Sequence, residues 1–131
     1  MGLILLLMIG WAEDVDSQEK KTILEIPEAV HTAREEMVGL PIGQRMKIVT
    51  EPLLGMDYIV DAIGEEKEPD PDPIVRYDAF DCLTFVEEAI ALSLGEDQRE
   101  IEKIRQDLRY QRGRMDYLAR NHFMLSQWIP N

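Results

Sequence analysis

Apolar and polar positions fall into blocks along the chain, and each block predicts an element. Leu3 to Ile9 is an unbroken apolar run, too short to span a bilayer, which needs roughly 20 residues. Gly10-Trp11-Ala12 then follows the small-x-small order of a secretory cleavage site, and charge begins at once with Glu13 and Asp14. This predicts an export segment over residues 1–12, although the usual positive start is missing; a hydrophobic element packed on the domain is the alternative. Residues 13–27 read as a polar linker. Ala29, Val30, Ala33 and Met37 share one face of a helix predicted from Glu28 to Val38. Gly39-Leu40-Pro41 ends it, since a residue before proline disfavours the helical region. A second helix is predicted from Ile42 to Leu54, distorted or ended by Pro52. Residues 65–73, reading EEKEPDPDP, form an acidic, stiff connector.

The most ordered stretch follows that connector. Asp81 is placed to cap a helix whose first residue is Cys82 and which Gly95 stops. Within it Val86, Ala89, Ile90 and Ser93 are expected to face the core, with Glu87 and Glu88 on the exposed side. A further helix from about Asp97 to Tyr110 carries Ile101, Ile104 and Leu108 on one face, and Gly113 closes it. From Arg114 to Asn131 the pattern loses its period and reads as loop or extended chain. The chain is thus expected to be mostly helical, with little sheet.

Composition narrows the function classes. The chain has 131 residues, about one domain, with 45% hydrophobic and 31% charged residues, a globular balance. Its net charge of −12 makes it a poor holder of polyanionic backbones, so nucleic acid is not an expected partner. A single cysteine excludes an intramolecular disulfide and a multi-thiolate zinc site.

That cysteine stands at an unusual place. At the first turn of a helix, unpaired backbone N–H groups and the positive end of the helix dipole favour a thiolate, the form of cysteine that acts as a nucleophile. Such a nucleophile needs a general base, usually a histidine held by a third polar group. Only His31 and His122 are present. His31 lies in a charged helical stretch and reads as an exposed helix residue. His122, within Arg120-Asn121-His122-Phe123, is the better candidate. Against this stands the plainer possibility that Cys82 is a small buried hydrophobe, as most free cysteines are.

Three blocks of sequence carry a resemblance. Tyr77-Asp78-Ala79-Phe80-Asp81-Cys82-Leu83-Thr84-Phe85-Val86-Glu87 resembles the nucleophile segment of the N-acetylmuramoyl-L-alanine amidase-like family, a bacterial branch of the NlpC-type, papain-like cell-wall hydrolases. Upstream, Leu54-Gly55-Met56-Asp57-Tyr58 is similar to its Leu-Gly-x-x-Tyr stretch. Downstream, Arg109-Tyr110, Gly113, Tyr117, Arg120-Asn121-His122-Phe123 and Trp128 follow its order. The resemblance covers residues 42–131. It implies an α+β, papain-like NlpC-type fold, and an exported, periplasmic or secreted enzyme that hydrolyses an amide bond in peptidoglycan or muropeptides. It implies Cys82 as nucleophile and Tyr58, Asp81, Arg120, Asn121 and Trp128 as residues around the substrate, with no metal or cofactor.

The resemblance also implies a later His-x-Gly strand carrying the general base. Since the sequence given stops at Asn131, the expectation is a C-terminally truncated member covering mainly the helical half of the fold, with residues 28–131 as its N-terminal helical part. Either His122 acts as the base or the base is absent. Asp81 reads more readily as a helix cap than as a proton carrier. Arg120 and Asn121 either bind a substrate carboxylate, orient His122, or hold the loop as a structural network. Besides the amidase, two other readings follow: a catalytically incomplete fragment or binding module, and a small helical interaction protein.

Overall fold

The computed structural model describes residues 25–60, 62–63, 75–121 and 123–130. The export segment, the stretch from Asp14 to Thr22, the acidic connector and His122 therefore lie outside the described residues. Helix α1 spans Glu28–Glu36 and α2 spans Ile42–Thr50. Pro27 and Pro41 stand at their N-caps, where a fixed φ suits a helix start. Gly39, at φ 77°, makes the turn between them, a conformation that glycine adopts without steric cost. Pro52 ends the regular part of α2, as expected; a single 3₁₀ turn, Glu51–Leu53, completes it.

Two short strands, β1 (Asp57–Tyr58) and β2 (Ala79–Phe80), pair in parallel with Asp57 opposite Ala79 and Tyr58 opposite Phe80. Immediately after β2 comes α3, Cys82–Leu94, and then α4, Gln98–Arg109. The remaining chain is not featureless. It forms 3₁₀ turns at Gln111–Gly113 and Tyr117–Ala119, an antiparallel bridge between Tyr110 and Arg120, and a π-helical turn at Met124–Trp128. Bonds to α4, described below, order this segment, which its aperiodic sequence could not announce. The fold is mostly helical with a small two-stranded sheet, consistent with α+β.

The core gathers Val30, Met37, Val49, Leu53, Tyr77, Phe80, Ala91, Leu92 and Ile101 between the helices. Ile26 is already buried in it, so packing begins before α1. Tyr77 meets Phe80 edge to face at 6.3 Å, and Phe80 meets Phe85 at 5.7 Å, the T-shaped geometry that aromatic quadrupoles favour.

Helix α3 corrects the expectation of which face is buried. Glu87 and Glu88 are 2% and 1% exposed, whereas Val86 is 41% exposed. The cause is that α3 packs against both α2 and α4, and α4 turns Arg105 and Arg109 toward those glutamates. Gly95 does end α3, but not through a left-handed φ: its φ is −68°. A Cβ there would lie 2.6 Å from Cγ1 of Ile101 and 2.8 Å from its backbone nitrogen, so glycine is needed for the close approach of α4. Arg34 of α1 closes the same corner, donating to the carbonyls of Leu92 at 3.2 Å and Gly95 at 2.6 Å. A cation at a helix C-terminus also complements its dipole.

Candidate active-site cleft

Cys82 occupies the first helical position of α3, as its sequence order predicts, and is exposed. Asp81 builds the helix start. Its Oδ1 accepts from the Thr84 backbone N–H at 2.7 Å, while Thr84 Oγ1 accepts from the Asp81 N–H at 3.0 Å. This reciprocal capping box satisfies two otherwise orphaned donors. The backbone N–H of Cys82, within the first turn, has no carbonyl partner inside the helix.

Backbone geometry carries the thiol to the surface. Strand β2 is buried on both residues, and α3 starts one residue later, so its first turn emerges from the core beside the sheet. Cys82 and Val86, four residues apart, share the open face of α3. The thiol borders a cleft of about 410 Å³ lined by Leu53, Leu54, Met56, Tyr58, Phe85 and Asp81 among others. Gly55, at φ 89°, forms the turn that leads the chain from the cleft wall into β1. The cleft is largely apolar, with Asp57 and Asp81 as its acidic lining residues.

Three of the sequence-derived site residues therefore meet: Tyr58, Asp81 and Cys82. Arg120, Asn121 and Trp128 belong to a second cluster. Arg120 and Asn121 are buried. The Asn121 backbone N–H donates to the Arg109 carbonyl at 2.8 Å, and its Nδ2 donates to the Leu108 carbonyl at 3.0 Å. Trp128 Nε1 donates to Glu87 Oε1 at 2.9 Å. The other histidine, His31, is exposed on α1 and borders a different hollow, beside Leu94 and Gly95 at the far end of α3. A 13-residue helix separates that end from Cys82, about 18 Å at 1.5 Å per residue.

Sequence reasoning passed over the buried ionic layer that ties α3 to α4. Arg105 grips Glu88 through Nε at 2.7 Å and Nη2 at 2.8 Å, and the Tyr77 hydroxyl donates to the same carboxylate. Arg109 grips Glu87 through Nε at 3.0 Å and Nη2 at 2.8 Å. Arg105 thus forks across both oxygens of Glu88, the bidentate geometry that best compensates a buried carboxylate, whereas Arg109 places both nitrogens on Oε2 of Glu87. Burial opposes the Arg105 charge, but the hydrogen bonds and charge of Glu88 outweigh it and raise its pKa. Burial, aided by the negative charge of Glu88, pushes the Tyr77 hydroxyl far above the usual tyrosine range. The signal was present as two adjacent glutamates in an apolar helix and two arginines spaced by four in the next. Charged residues so seldom lie fully buried that the solvated reading prevailed.

Comparison with known proteins adds to this geometry. No curated protein matches the sequence. A crystal structure of protein LPG0564 from Legionella pneumophila str. Philadelphia 1, assigned to DUF1460, is similar to this chain with a TM-score of 0.67 and 25% identity. The match covers 77% of this chain and 34% of that one, so the chain spans about a third of that protein's length. A family model described as AmiA-like, N-acetylmuramoyl-L-alanine amidase-like, matches residues 48–131. Those residues run from the end of α2 through the capped Cys82 helix and past the Trp128 turn, and the chain belongs to the N-acetylmuramoyl-L-alanine amidase-like family.

Proposed function

We propose that Cys82 is the nucleophile of a cysteine-dependent amidase that hydrolyses an amide bond in peptidoglycan or muropeptides, within a papain-like fold of the NlpC type. One observation carries the reading: the exposed thiol stands at the first position of a capped helix and opens into a substrate-sized cleft. The family description, which names an amidase of the muramoyl–alanine bond, supports it. Export through residues 1–12 and a linker before the domain belong to the same proposal, since peptidoglycan lies outside the cytoplasm.

The chemistry balances with few parts. The Cys82 sulfur attacks the carbonyl carbon and forms a tetrahedral intermediate, whose oxyanion accepts a hydrogen bond from the Cys82 backbone N–H. A histidine gives a proton to the leaving amine as the C–N bond breaks, leaving a thioester. Water, deprotonated by that histidine, then hydrolyses the thioester to a carboxylic acid and restores the thiol. Tyr58 and Asp81 flank the scissile bond in this scheme, and Arg120, Asn121 and Trp128 hold the segment that carries His122. His31 is too far from the thiol, so His122 is the base if the chain acts alone. The family resemblance instead places the base on a later strand.

A second reading, a binding module without catalysis, is favoured by one observation: no histidine lines the cleft among the described residues. Incubation with defined muropeptides, read by mass spectrometry, separates the two. The amidase reading expects a product pair whose masses exceed the substrate by one water, lost in Cys82→Ala; its loss in His122→Ala as well marks His122 as the base, and its survival there places the base elsewhere. Binding without turnover, unchanged in Cys82→Ala, establishes the module instead.

A further inference from the structure

We infer that Glu87 is a positioning residue, which fixes the segment from Asn121 to Trp128 against the helix that bears the Cys82 thiol. The inference rests on the reading of Cys82 as nucleophile. Glu87 lies five residues after Cys82 on α3, is 2% exposed, and lines neither the cleft nor the cap. Its two oxygens divide their work. Oε2 accepts both Arg109 bonds from α4, while Oε1 accepts from Trp128 Nε1, 41 residues further along the chain.

The segment needs such an anchor. Within it Phe123 and Leu125 are 67% and 82% exposed, and Ile129 just beyond it is 60% exposed, so apolar burial does little to hold it. Polar bonds hold it at both ends instead. Asn121 is tied to the end of α4 through its backbone N–H and Nδ2, and Trp128 is tied to α3 through Glu87. His122 lies between these two anchors in sequence. A carboxylate that served only to join α3 to α4 needs Arg109 alone; the bond to Trp128 makes the thiol's own helix the reference for the segment.

The test uses the full chain, where Cys82 is the one cysteine and Trp11→Phe leaves Trp128 as the sole tryptophan. Two readouts are taken: acrylamide quenching of Trp128, and the pH profile of Cys82 alkylation by iodoacetamide. Asp57 and Asp81 flank the thiol in every variant and so stay constant. Glu87→Ala is expected to red-shift Trp128 emission, raise its quenching, and move the alkylation profile toward that of a free thiol. Trp128→Phe, which keeps the Glu87–Arg109 pair, is expected to move the profile in the same way, and the double variant no further than Glu87→Ala. A folded Trp128→Phe protein with the parent profile overturns the inference, and this arm decides alone if Glu87→Ala fails to fold. A parent protein that alkylates as a free thiol at every pH overturns the nucleophile reading itself, and the inference with it.

Discussion

Asp81 and Cys82 are consecutive residues with opposite duties: one is consumed in building the helix start, and the other is presented by it. Because Asp81 Oδ1 accepts the Thr84 N–H at 2.7 Å, Asp81→Ala is expected to cost about 0.5–2 kcal/mol by removing the cap. Asp81→Asn, which keeps a side-chain acceptor, should recover most of that in urea unfolding. The buried pairs set a larger scale. Glu88 is 1% exposed, and Arg105→Ala would strip its forked partner and leave a desolvated carboxylate. The expected loss is about 3–5 kcal/mol. Changing both residues together to apolar ones of similar size is expected to cost far less, because no charge then remains buried. Chemical denaturation of the single and double variants checks this.

Between elements, the sharp corner from α3 to α4 rests on a missing side chain. A Cβ on Gly95 would sit 2.6 Å from Ile101 Cγ1 and under 3 Å from the Ile101 backbone, atoms that cannot swing aside as a flexible side chain would. Gly95→Ala is therefore expected to destabilise by about 1–3 kcal/mol, the range of overpacking in a close-packed interior. Ile101→Val, which thins the contacting side chain but leaves its backbone in place, should restore only part of the loss. Thermal melts of the single and paired variants read both effects. The same corner aligns Arg105 and Arg109 with Glu88 and Glu87, so opening it should weaken the ionic layer as well.

At the scale of the whole molecule, that ionic layer makes stability depend on alkaline pH. Burial and the Glu88 charge raise the Tyr77 pKa in the folded state, so the native protein holds this proton more tightly than the unfolded chain does. The stabilisation is complete below the unfolded tyrosine pKa of about 10 and is lost as pH rises above it, by up to about 1.4 kcal/mol per pH unit. The expected result is a urea midpoint that is flat as far as Tyr77 is concerned from pH 8 to 10 and falls beyond. In Tyr77→Phe this tyrosine contribution to the fall should disappear. Phenolate absorbance should show Tyr77 ionising only as the protein unfolds.

What the sequence determined by itself is local. The order Asp-Cys-x-Thr specifies a capping box, because its partners lie three residues apart and meet whenever that turn forms. Pro41, Pro52 and Gly39 punctuate α1 and α2 through backbone sterics alone, and the Asp-Cys-x-Thr-Phe-Val-Glu block, with the blocks before and after it, indicated the family. Which face of α3 is buried was decided elsewhere. A helix covered on one side shows its core as a stripe, but α3 is covered on two, and Arg105 and Arg109 arrive from 17 and 22 residues away to neutralise its glutamates. The order of the C-terminal segment is tertiary for the same reason: its anchors are carbonyls of α4 and the carboxylate of Glu87, not its own periodicity. The cleft, too, belongs to the fold. Tyr58 and Cys82 come together because β1 pairs with β2 in parallel, a pairing between distant residues that no local pattern encodes.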